Sequence, residues 1–340
     1  MGKARVFGWG FGAAAAALLL APFLFSDYTL TLLCVQALLA LSLAFVWGVG
    51  GILCFGQAAF YGLGAYGYAV CSLNGADAGV CVLGGVAAAT LFAVALGAMM
   101  FYGRIGDVYL GVVTLVATLI LYKYMNSTAG SEYAIGSARL GGFNGIPGFT
   151  PLYVPGRPDW PITGTALYAL VALSLLGCWA LCRWLMQRPF GRVLAGTREN
   201  ELRAELLGYD VRWVRLLAFA LGGALAGLAG VFYAVWAELV TPELFSLGTS
   251  ADAIIWVLVG GLGGLAGPIA GAMALGALKG LLGAQQMVSS LFVFGALLIG
   301  VVLFLPRGLA PMLVAGVARL RAPRGAAHTT HTAASGEAER

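Results

Sequence analysis

Few side chains of this 340-residue chain have the type and spacing that catalytic or metal chemistry requires. The six cysteines all fall in apolar stretches and none forms a C-x-x-C pair, which favours small buried hydrophobic residues over disulfides or metal ligands. Only His328 and His331 could join them as ligands. No G-x-x-x-x-G-K-[ST] motif is present, so the chain has no phosphate-binding loop of that type. The sequence therefore predicts neither an enzyme nor a metal site.

One polar pair lies inside a glycine-rich run, residues 50–66. The amide of Gln57 and the hydroxyl of Tyr61 stand there among apolar residues. Polar groups in a hydrocarbon environment need hydrogen-bond partners, and a passing substrate could supply one. We therefore predict that Gly56, Gln57, Phe60 and Tyr61 line a substrate path.

A second glycine-rich run, residues 260–268, ends at Pro268. Proline disfavours helix at the residues before it, so we expect no helix at 266–267. Irregular backbone at membrane depth is tolerated only where it lines a cavity or is buried in protein. Two such breaks, one in each half of the chain, indicate a path at mid-membrane between two pseudo-repeats. Tight helix packing through small residues is the alternative for many of these glycines. The predicted path residues of this run are Gly260, Gly261 and Gly263.

The elements that would position these residues are membrane-spanning helices. Hydrophobic residues make up 61% of the chain and charged residues 10%, with a mean hydropathy of +0.92. A spanning helix needs about 20 apolar residues, and the chain is expected to be an all-α, polytopic membrane protein with roughly ten transmembrane helices, some broken or re-entrant. The predicted spans are 7–25, 30–49, 56–73, 79–101, 108–125, 163–185, 214–237, 251–265, 268–283 and 288–305.

The distribution of Lys and Arg predicts the orientation. With a cytoplasmic N-terminus, fifteen of these residues fall on the inner side and four on the outer side. An even number of spans then places both termini in the cytoplasm. The net charge of +5 is explained by these topology signals, and we expect no nucleic-acid partner. The predicted domains are a permease domain over 1–310, containing a cytoplasmic loop at 186–213, and a disordered cytoplasmic tail at 311–340.

That loop interrupts the hydrophobic character of the chain. Ten Lys, Arg, Asp and Glu residues lie from Arg188 to Arg215, nine of them in this loop. We predict a helix from about Glu199 to Leu207, ended by Gly208. An ordered amphipathic element in a cytoplasmic loop indicates a soluble partner.

Four stretches in this order and spacing resemble the inner-membrane permeases of the branched-chain amino-acid ABC importer family, in its LivM-like half. The resemblance covers about residues 30 to 310. Cys54 stands where the family often has Ser, which leaves the substrate preference open. The stretches are 51–66, 141–147, 189–208 and 226–230 continuing to 259–263.

The resemblance implies a role for the cytoplasmic loop. The family carries an Ala-x-Arg-Glu-x-Glu…Leu-Gly pattern there, and residues 196–201 with 207–208 match it, with Gly196 in place of the usual Ala. In the family this is the coupling helix that sits in a groove of the ATPase subunit. The resemblance therefore assigns coupling to Arg198, Glu199, Glu201, Glu205, Leu206, Leu207 and Gly208.

The resemblance also implies the partners. These are a second, LivH-like permease, two cytoplasmic ATP-binding subunits that hold the ATP and Mg, and a periplasmic substrate-binding protein. The outer loop 127–161 is the expected docking surface for the binding protein. Its turn-forming stretch supplies Gly142, Asn144, Gly145 and Pro147. This chain itself is expected to bind no cofactor.

Two alternatives differ in cargo and in energy source. Related permeases of the same family carry urea or short amides, and Tyr209 and residues 254–257 resemble that branch. An ion-coupled secondary transporter would need intramembrane carboxylates or histidines, and the predicted spans show no series of them. The sequence therefore favours a small neutral or zwitterionic cargo, most often a branched-chain or hydrophobic amino acid in this family.

Overall fold

The computed structural model describes residues 26–130, 132–154, 157–285 and residue 295. The predicted span 7–25, the span 288–305 apart from residue 295, and the predicted tail 311–340 lie outside the described residues.

Helices dominate the described chain, as the hydropathy predicted. The first helix, α1, passes directly into a π-helix, which the sequence did not predict. The bounds are α1 Asp27–Leu43, the π-helix Ala44–Val49, α2 Gln57–Leu73, α3 Ala78–Tyr102, α4 Asp107–Ser127, α5 Thr165–Gln187, α6 Pro189–Glu199, α7 Glu201–Leu206, α8 Val211–Ala237, α9 Leu247–Gly260 and α10 Ala266–Gln285.

Five helical stretches are long and apolar enough to cross a membrane, and α9 and the apolar part of α10 are shorter. The prediction of an all-α, multi-pass membrane protein is confirmed at this level. The predicted total of ten helices depends partly on residues outside the described ranges. The five stretches are Asp27–Val49, Ala78–Tyr102, Asp107–Ser127, Thr165–Gln187 and Val211–Ala237.

Side chains immediately before several helices fix where those helices begin. The Asp77 carboxylate accepts a hydrogen bond from the Gly79 N–H at 3.1 Å, ahead of α3. The Asp210 carboxylate accepts one from the Trp213 N–H at 3.1 Å, ahead of α8. Each acceptor satisfies an N–H group that the first turn of a helix leaves unpaired.

Helix α8 lies at the centre of the described fold and packs against α1, α2 and α3. Glycine lets α2 and α8 approach closely, because a Cβ on Gly64 would lie 2.1 Å from the Gly227 carbonyl oxygen. Phe60 and Phe219 fill the same interface with an edge-to-face contact, their ring centroids 5.4 Å apart. Many of the glycines thus serve helix packing, the alternative considered from the sequence.

Three short antiparallel strand pairs, which the all-α prediction did not include, lie in the connections. Strands β1 (Ala134–Ile135) and β2 (Ala138–Arg139) pair, as do β4 (Tyr153–Val154) and β5 (Arg157–Pro161). Strand β3 (Ile146–Pro147) pairs with the distant β6 (Leu239–Val240). This last pair ties the α4–α5 loop to the connection between α8 and α9, which a local hydropathy pattern does not show.

The expectation of no helix before Pro268 was wrong. Helix α10 begins at Ala266 and includes Gly267 and Pro268 in its first turn. Proline is tolerated there because the first N–H groups of a helix have no intrahelical acceptor. The predicted span 251–265 is also shifted, since α9 begins at Leu247 and ends at Gly260.

Candidate functional site

The first glycine-rich run breaks the chain between the π-helix and α2, as predicted. Residues 50–56 form neither helix nor strand in the structure. Gly51 has a φ of +69°, a left-handed conformation that favours glycine. Gly56 lies against α4, because a Cβ there would be 2.5 Å from the Thr114 carbonyl oxygen. We call residues 50–56 the first break.

Gln57 begins α2 and is 1% exposed. Its Nε2 donates a hydrogen bond to Ser42 Oγ at 2.6 Å, and its Oε1 accepts one from Cys54 Sγ at 3.5 Å. The Ser42 hydroxyl in turn donates to the Leu39 carbonyl at 2.6 Å. Neighbouring side chains therefore already partner the amide, and it keeps one N–H for a further acceptor. The burial of Gln57 is thus explained by partners within the chain, without the substrate that the sequence suggested as one possible partner.

Two further hydroxyls bind the backbone around the start of α2. Thr114 Oγ1, on α4, accepts a hydrogen bond from the Phe55 N–H at 3.2 Å. Ser250 Oγ, on α9, accepts one from the Ala58 N–H at 3.4 Å. Sequence reasoning missed both residues and also Ser42, because an isolated hydroxyl in an apolar helix usually bonds to its own backbone. Helices α1, α4 and α9 thus converge on the predicted path residue Gln57.

Phe60 and Tyr61 are core residues in this structure. Phe60 is 1% exposed and packs on Phe219, while Tyr61 is 5% exposed with its ring centroid 5.6 Å from that of Tyr233. A Cβ on Gly230 would lie 1.9 Å from the Tyr61 carbonyl oxygen, so α8 covers this part of α2 closely. The structure therefore places the two rings in the α2–α8 interface.

The second break, residues 261–265, separates α9 from α10. Gly261 has a φ of +94°, and Gly260 faces the first turn of α10, where an added Cβ would be 2.3 Å from the Gly267 carbonyl oxygen. Gly263 is exposed, and a Cβ there would have no described heavy atom within 4 Å. Of the three predicted path glycines, Gly260 and Gly261 shape the tight turn and Gly263 lies at its surface.

The two breaks are neighbours in space. Gly48, in the π-helix just before the first break, packs against the second break, since a Cβ on Gly48 would be 3.3 Å from the Leu262 carbonyl oxygen. The sequence placed the breaks in different halves of the chain and predicted that both line one path at mid-membrane, but it did not predict a contact between them. Their meeting point is made by backbone rather than by side chains.

Residues 186–213, which we call the polar segment, contain two helices instead of the single one predicted over 199–207. Helix α6 begins at Pro189, a residue favoured at the first helical position. Asn200 interrupts it with an extended backbone, and its Oδ1 accepts a hydrogen bond from the Arg203 N–H at 2.8 Å to cap α7. Gly208, with a φ of +86°, follows α7 as expected.

The side chains of the polar segment that were assigned to coupling separate into two groups. Glu199, Glu205, Leu206 and Leu207 are exposed, the two leucines at 80% and 72%. Exposed leucines in such number on a short helix indicate a surface that another protein covers. A groove of about 280 Å³ lies between α6 and α7 and includes Leu207 in its wall. Arg198 and Glu201 are exposed as well, but their charged ends also contact this chain.

Arg198 reaches from the end of α6 to the first break. Its Nη1 donates a hydrogen bond to the Gly48 carbonyl. Its aliphatic stem covers Gly51, where a Cβ would lie 2.6 Å from Arg198 Cγ. The polar segment therefore touches the point where the two breaks meet.

Glu201 is paired with Arg215, which is only 8% exposed at the start of α8. Arg215 Nη1 lies 2.8 Å from Glu201 Oε2, and its Nη2 binds the Asp107 carboxylate at the start of α4. The guanidinium also stands over the Phe101 ring, 5.3 Å from its centroid. One arginine thus joins α7, α8, α4 and the end of α3. The sequence interpreted Arg215 only as a topology signal.

The outer-loop residues surround the β3–β6 pair. Gly142 and Asn144 belong to a single 3-10 turn, with Gly142 buried and Asn144 exposed. Gly145 packs directly on β6, since a Cβ there would be 2.2 Å from the Val240 carbonyl oxygen, and Pro147 lies in β3. These four residues lie close together in the outer loop, and in the sequence they are far from the first break.

Within the described residues, no group of three or more His, Cys, Asp or Glu side chains could hold a metal ion. The charged side chains of the apolar helices include one pair, Lys279 on α10 and Asp252 on α9, with Nζ and Oδ2 2.7 Å apart. The described residues thus combine hydrophobic helices, two backbone breaks and a polar segment, an arrangement that is typical of membrane permeases.

The chain belongs to the family described as the permease component of the branched-chain amino acid transport system, whose model matches residues 25–302. It is 30% identical to the high-affinity branched-chain amino acid transport system permease protein LivM of Escherichia coli K12, over 86% of this chain and 72% of that protein. These matches show a permease subunit of an ABC importer, and they confirm the resemblance.

More distant relatives share about two fifths of the chain. A probable branched-chain amino acid transport permease protein LivH of Methanocaldococcus jannaschii is 33% identical over 43% of this chain and 44% of its own length. The autoinducer 2 import system permease protein LsrC of Salmonella typhimurium is 30% identical over 42% of each chain. No solved structure matches this chain.

Proposed function

We propose that this subunit moves branched-chain or other hydrophobic amino acids inward across the bacterial inner membrane by alternating access, driven by ATP hydrolysis on partner subunits. The observation that carries the mechanism is the junction at Gly48, where both breaks and the polar segment meet. The cargo is supported by the family description and by the extent of the match to LivM.

The partners are those of a four-subunit membrane complex with a soluble receptor. A second, LivH-like permease forms the other half of the path, and two cytoplasmic ATP-binding subunits hold the ATP and Mg. A periplasmic substrate-binding protein delivers cargo to the loop between α4 and α5. The exposed side chains of Phe143 and Trp160 in that loop, at 69% and 62%, suit such a protein contact.

The orientation has the polar segment and both termini in the cytoplasm. Helix α8 begins beside the polar segment and ends beside β6. Its 27 residues span about 40 Å, more than the roughly 30 Å hydrocarbon core of a bilayer. The polar segment, rich in Arg, then faces the cytoplasm and the β3–β6 pair faces the periplasm.

Coupling to the ATPase uses the exposed face of α7. Leu206 and Leu207 supply the apolar contact, Glu199 and Glu205 its charged rim, and Gly208 allows the chain to turn back towards α8. Closure of the ATPases on ATP displaces the polar segment as a unit, because a salt bridge fixes α7 to α8. The permease converts that displacement into a change of access.

Two alternative functions differ from this proposal, one in its cargo and the other in its energy source. A urea or short-amide permease would share the architecture and differ in cargo. An ion-coupled secondary transporter would need a titrating or sodium-binding carboxylate in the membrane. Asp252 is the best candidate for that role, but Lys279 already neutralises it.

The experiment is uptake and ATP hydrolysis in proteoliposomes that contain this subunit, its partner permease and the ATPases. Binding protein loaded with leucine is compared with binding protein loaded with urea. We expect leucine alone to stimulate hydrolysis and uptake. Leu206→Asp should abolish both, whereas Leu206→Met, the matched control, keeps them within about twofold. Uptake that persists without ATPases would establish the secondary transporter instead.

A further inference from the structure

At Gly48 three parts of the molecule meet. It belongs to the π-helix, its carbonyl accepts a hydrogen bond from Arg198, and its α-carbon packs against the Leu262 carbonyl of the second break. π-Helical turns are rare and are often found at functional sites. A contact at Gly48 therefore acts on both breaks at once.

Arg198 holds this point in two ways. Its guanidinium binds the Gly48 carbonyl, and its stem lies on Gly51, which has the left-handed backbone. Because the guanidinium is planar with fixed N–H directions, the contact transmits orientation as well as position. The residue lies at the end of α6, so a tilt of this helix moves its side chain directly.

We infer that Arg198 is a positioning residue that passes movement of the polar segment into both glycine breaks. The inference rests on the proposed function and refines it, because the family pattern assigns Arg198 to contact with the ATPase. In the structure its Nη1 binds the Gly48 carbonyl of this chain although the residue as a whole is exposed, and the exposed side chains of Leu206 and Leu207 remain for the ATPase.

The two breaks are suited to respond. The N–H groups of residues 50–52 and of Gly261 still bond back to the preceding helix, whereas residues 53–56 and 262–265 lie outside the helical hydrogen-bond ladder. The dihedral angles of these latter residues therefore change at a lower cost than those of α2 or α10. At the other end of the first break, Gln57 is held by Ser42 and Ala58 by Ser250. A displacement of Gly48 therefore acts on a short irregular stretch, the first break, whose other end is held in place at Gln57 and Ala58.

The test separates docking from transmission in the complete reconstituted complex. Arg198→Gln, Arg198→Lys and Arg212→Gln are compared, the last removing the same charge from the polar segment while leaving the Gly48 contact in place. Two quantities are measured: cargo-stimulated ATP hydrolysis, and leucine transported per ATP hydrolysed. In a parallel set each variant also carries Gly263→Cys, whose labelling by an aqueous maleimide is compared without nucleotide and with trapped ATP.

We expect Arg198→Gln to keep stimulated hydrolysis within about threefold but to lower leucine transported per ATP at least tenfold. Labelling of Cys at position 263 should change with ATP in the parent and in Arg212→Gln, and should stop changing in Arg198→Gln. Arg198→Lys, which keeps a donor, should recover part of the transport ratio.

Two results overturn the inference. If hydrolysis and transport fall together in Arg198→Gln while labelling still responds to ATP, Arg198 serves ATPase docking. If all measured properties of Arg198→Gln match those of the parent, the Gly48 contact does not transmit movement of the polar segment. Should the parent itself show no cargo-stimulated hydrolysis, the proposed function fails, and that outcome is distinct from both. If Arg198→Gln does not assemble, Arg198→Lys gives the same two readouts.

Discussion

Lys279 Nζ lies 2.7 Å from Asp252 Oδ2, which joins α10 to α9 by a salt bridge inside an apolar region of the chain. The two side chains are 41% and 26% exposed, so the pair is only partly shielded. In the structure the Lys279 ammonium and the Asp252 carboxylate neutralise each other.

Removing one partner of this pair should therefore cost more than removing both. We expect Asp252→Asn to lower the free energy of unfolding by about 1–2 kcal/mol, because it removes the carboxylate that lies 2.7 Å from Lys279 Nζ. The double variant Asp252→Asn with Lys279→Gln should recover most of that loss. Denaturant titration of the detergent-solubilised protein measures both, and equal losses in the single and double variants would contradict the pairing.

The close contact between α2 and α8 predicts that any side chain larger than that of glycine at position 64 destabilises the protein. Alanine there would place its Cβ 2.1 Å from the Gly227 carbonyl oxygen, so the helices must separate. We expect a loss of about 2–3 kcal/mol and a lower yield of monodisperse protein in size-exclusion chromatography. Gly177→Ala on α5 is the control, since a Cβ there has no described heavy atom within 4 Å. Equal yields of the two variants would show that the close approach is absent.

The two ion pairs of Arg215 predict that replacing Arg215 destabilises the protein more than replacing Glu201. Arg215→Gln removes the buried centre of two ion pairs, whereas Glu201→Gln removes one pair at a side chain that is 46% exposed. We expect losses of about 1–3 kcal/mol and below about 1 kcal/mol respectively, after allowing for screening of the exposed carboxylates. Thermal unfolding at low and high salt checks the values. A salt-independent loss in Glu201→Gln would indicate that its ion pair is not the cause.

The network around Gln57 predicts tolerance at position 54. Cys54→Ser supplies a stronger donor to Gln57 Oε1 in a similar volume, so transport should stay within about twofold of the parent. Gln57→Leu removes the bond to Ser42 and leaves that buried hydroxyl without its donor. We expect leucine uptake to fall at least fivefold in that variant, measured at matched amounts of reconstituted protein. Equal uptake by Gln57→Leu and the parent would remove Gln57 from the path.

Hydropathy and glycine content predicted the long apolar helices of the described chain and the presence of both breaks, because apolar length and missing side chains act locally, but they predicted neither α6 nor the start of α10 at Ala266. They did not predict that Gly48 touches Leu262, because a contact between two backbones leaves no pattern in the sequence. Arg198 and Arg215 were visible as charges, but their acceptors lie 150 and 108 residues away, at Gly48 and Asp107. The π-helix was missed because its sequence is that of an ordinary apolar helix.

The β3–β6 pair has a practical consequence for establishing sidedness. A peptide epitope inserted after Gly148, which has a φ of +75° and an open environment, leaves both strands intact. An epitope after Leu239 would separate the two residues that β6 contributes. In intact spheroplasts, antibody should reach the Gly148 epitope without detergent, and a Leu206 epitope only after the membrane is opened. The strand pair thus shows which epitope insertion site reports the membrane topology without disturbing the fold.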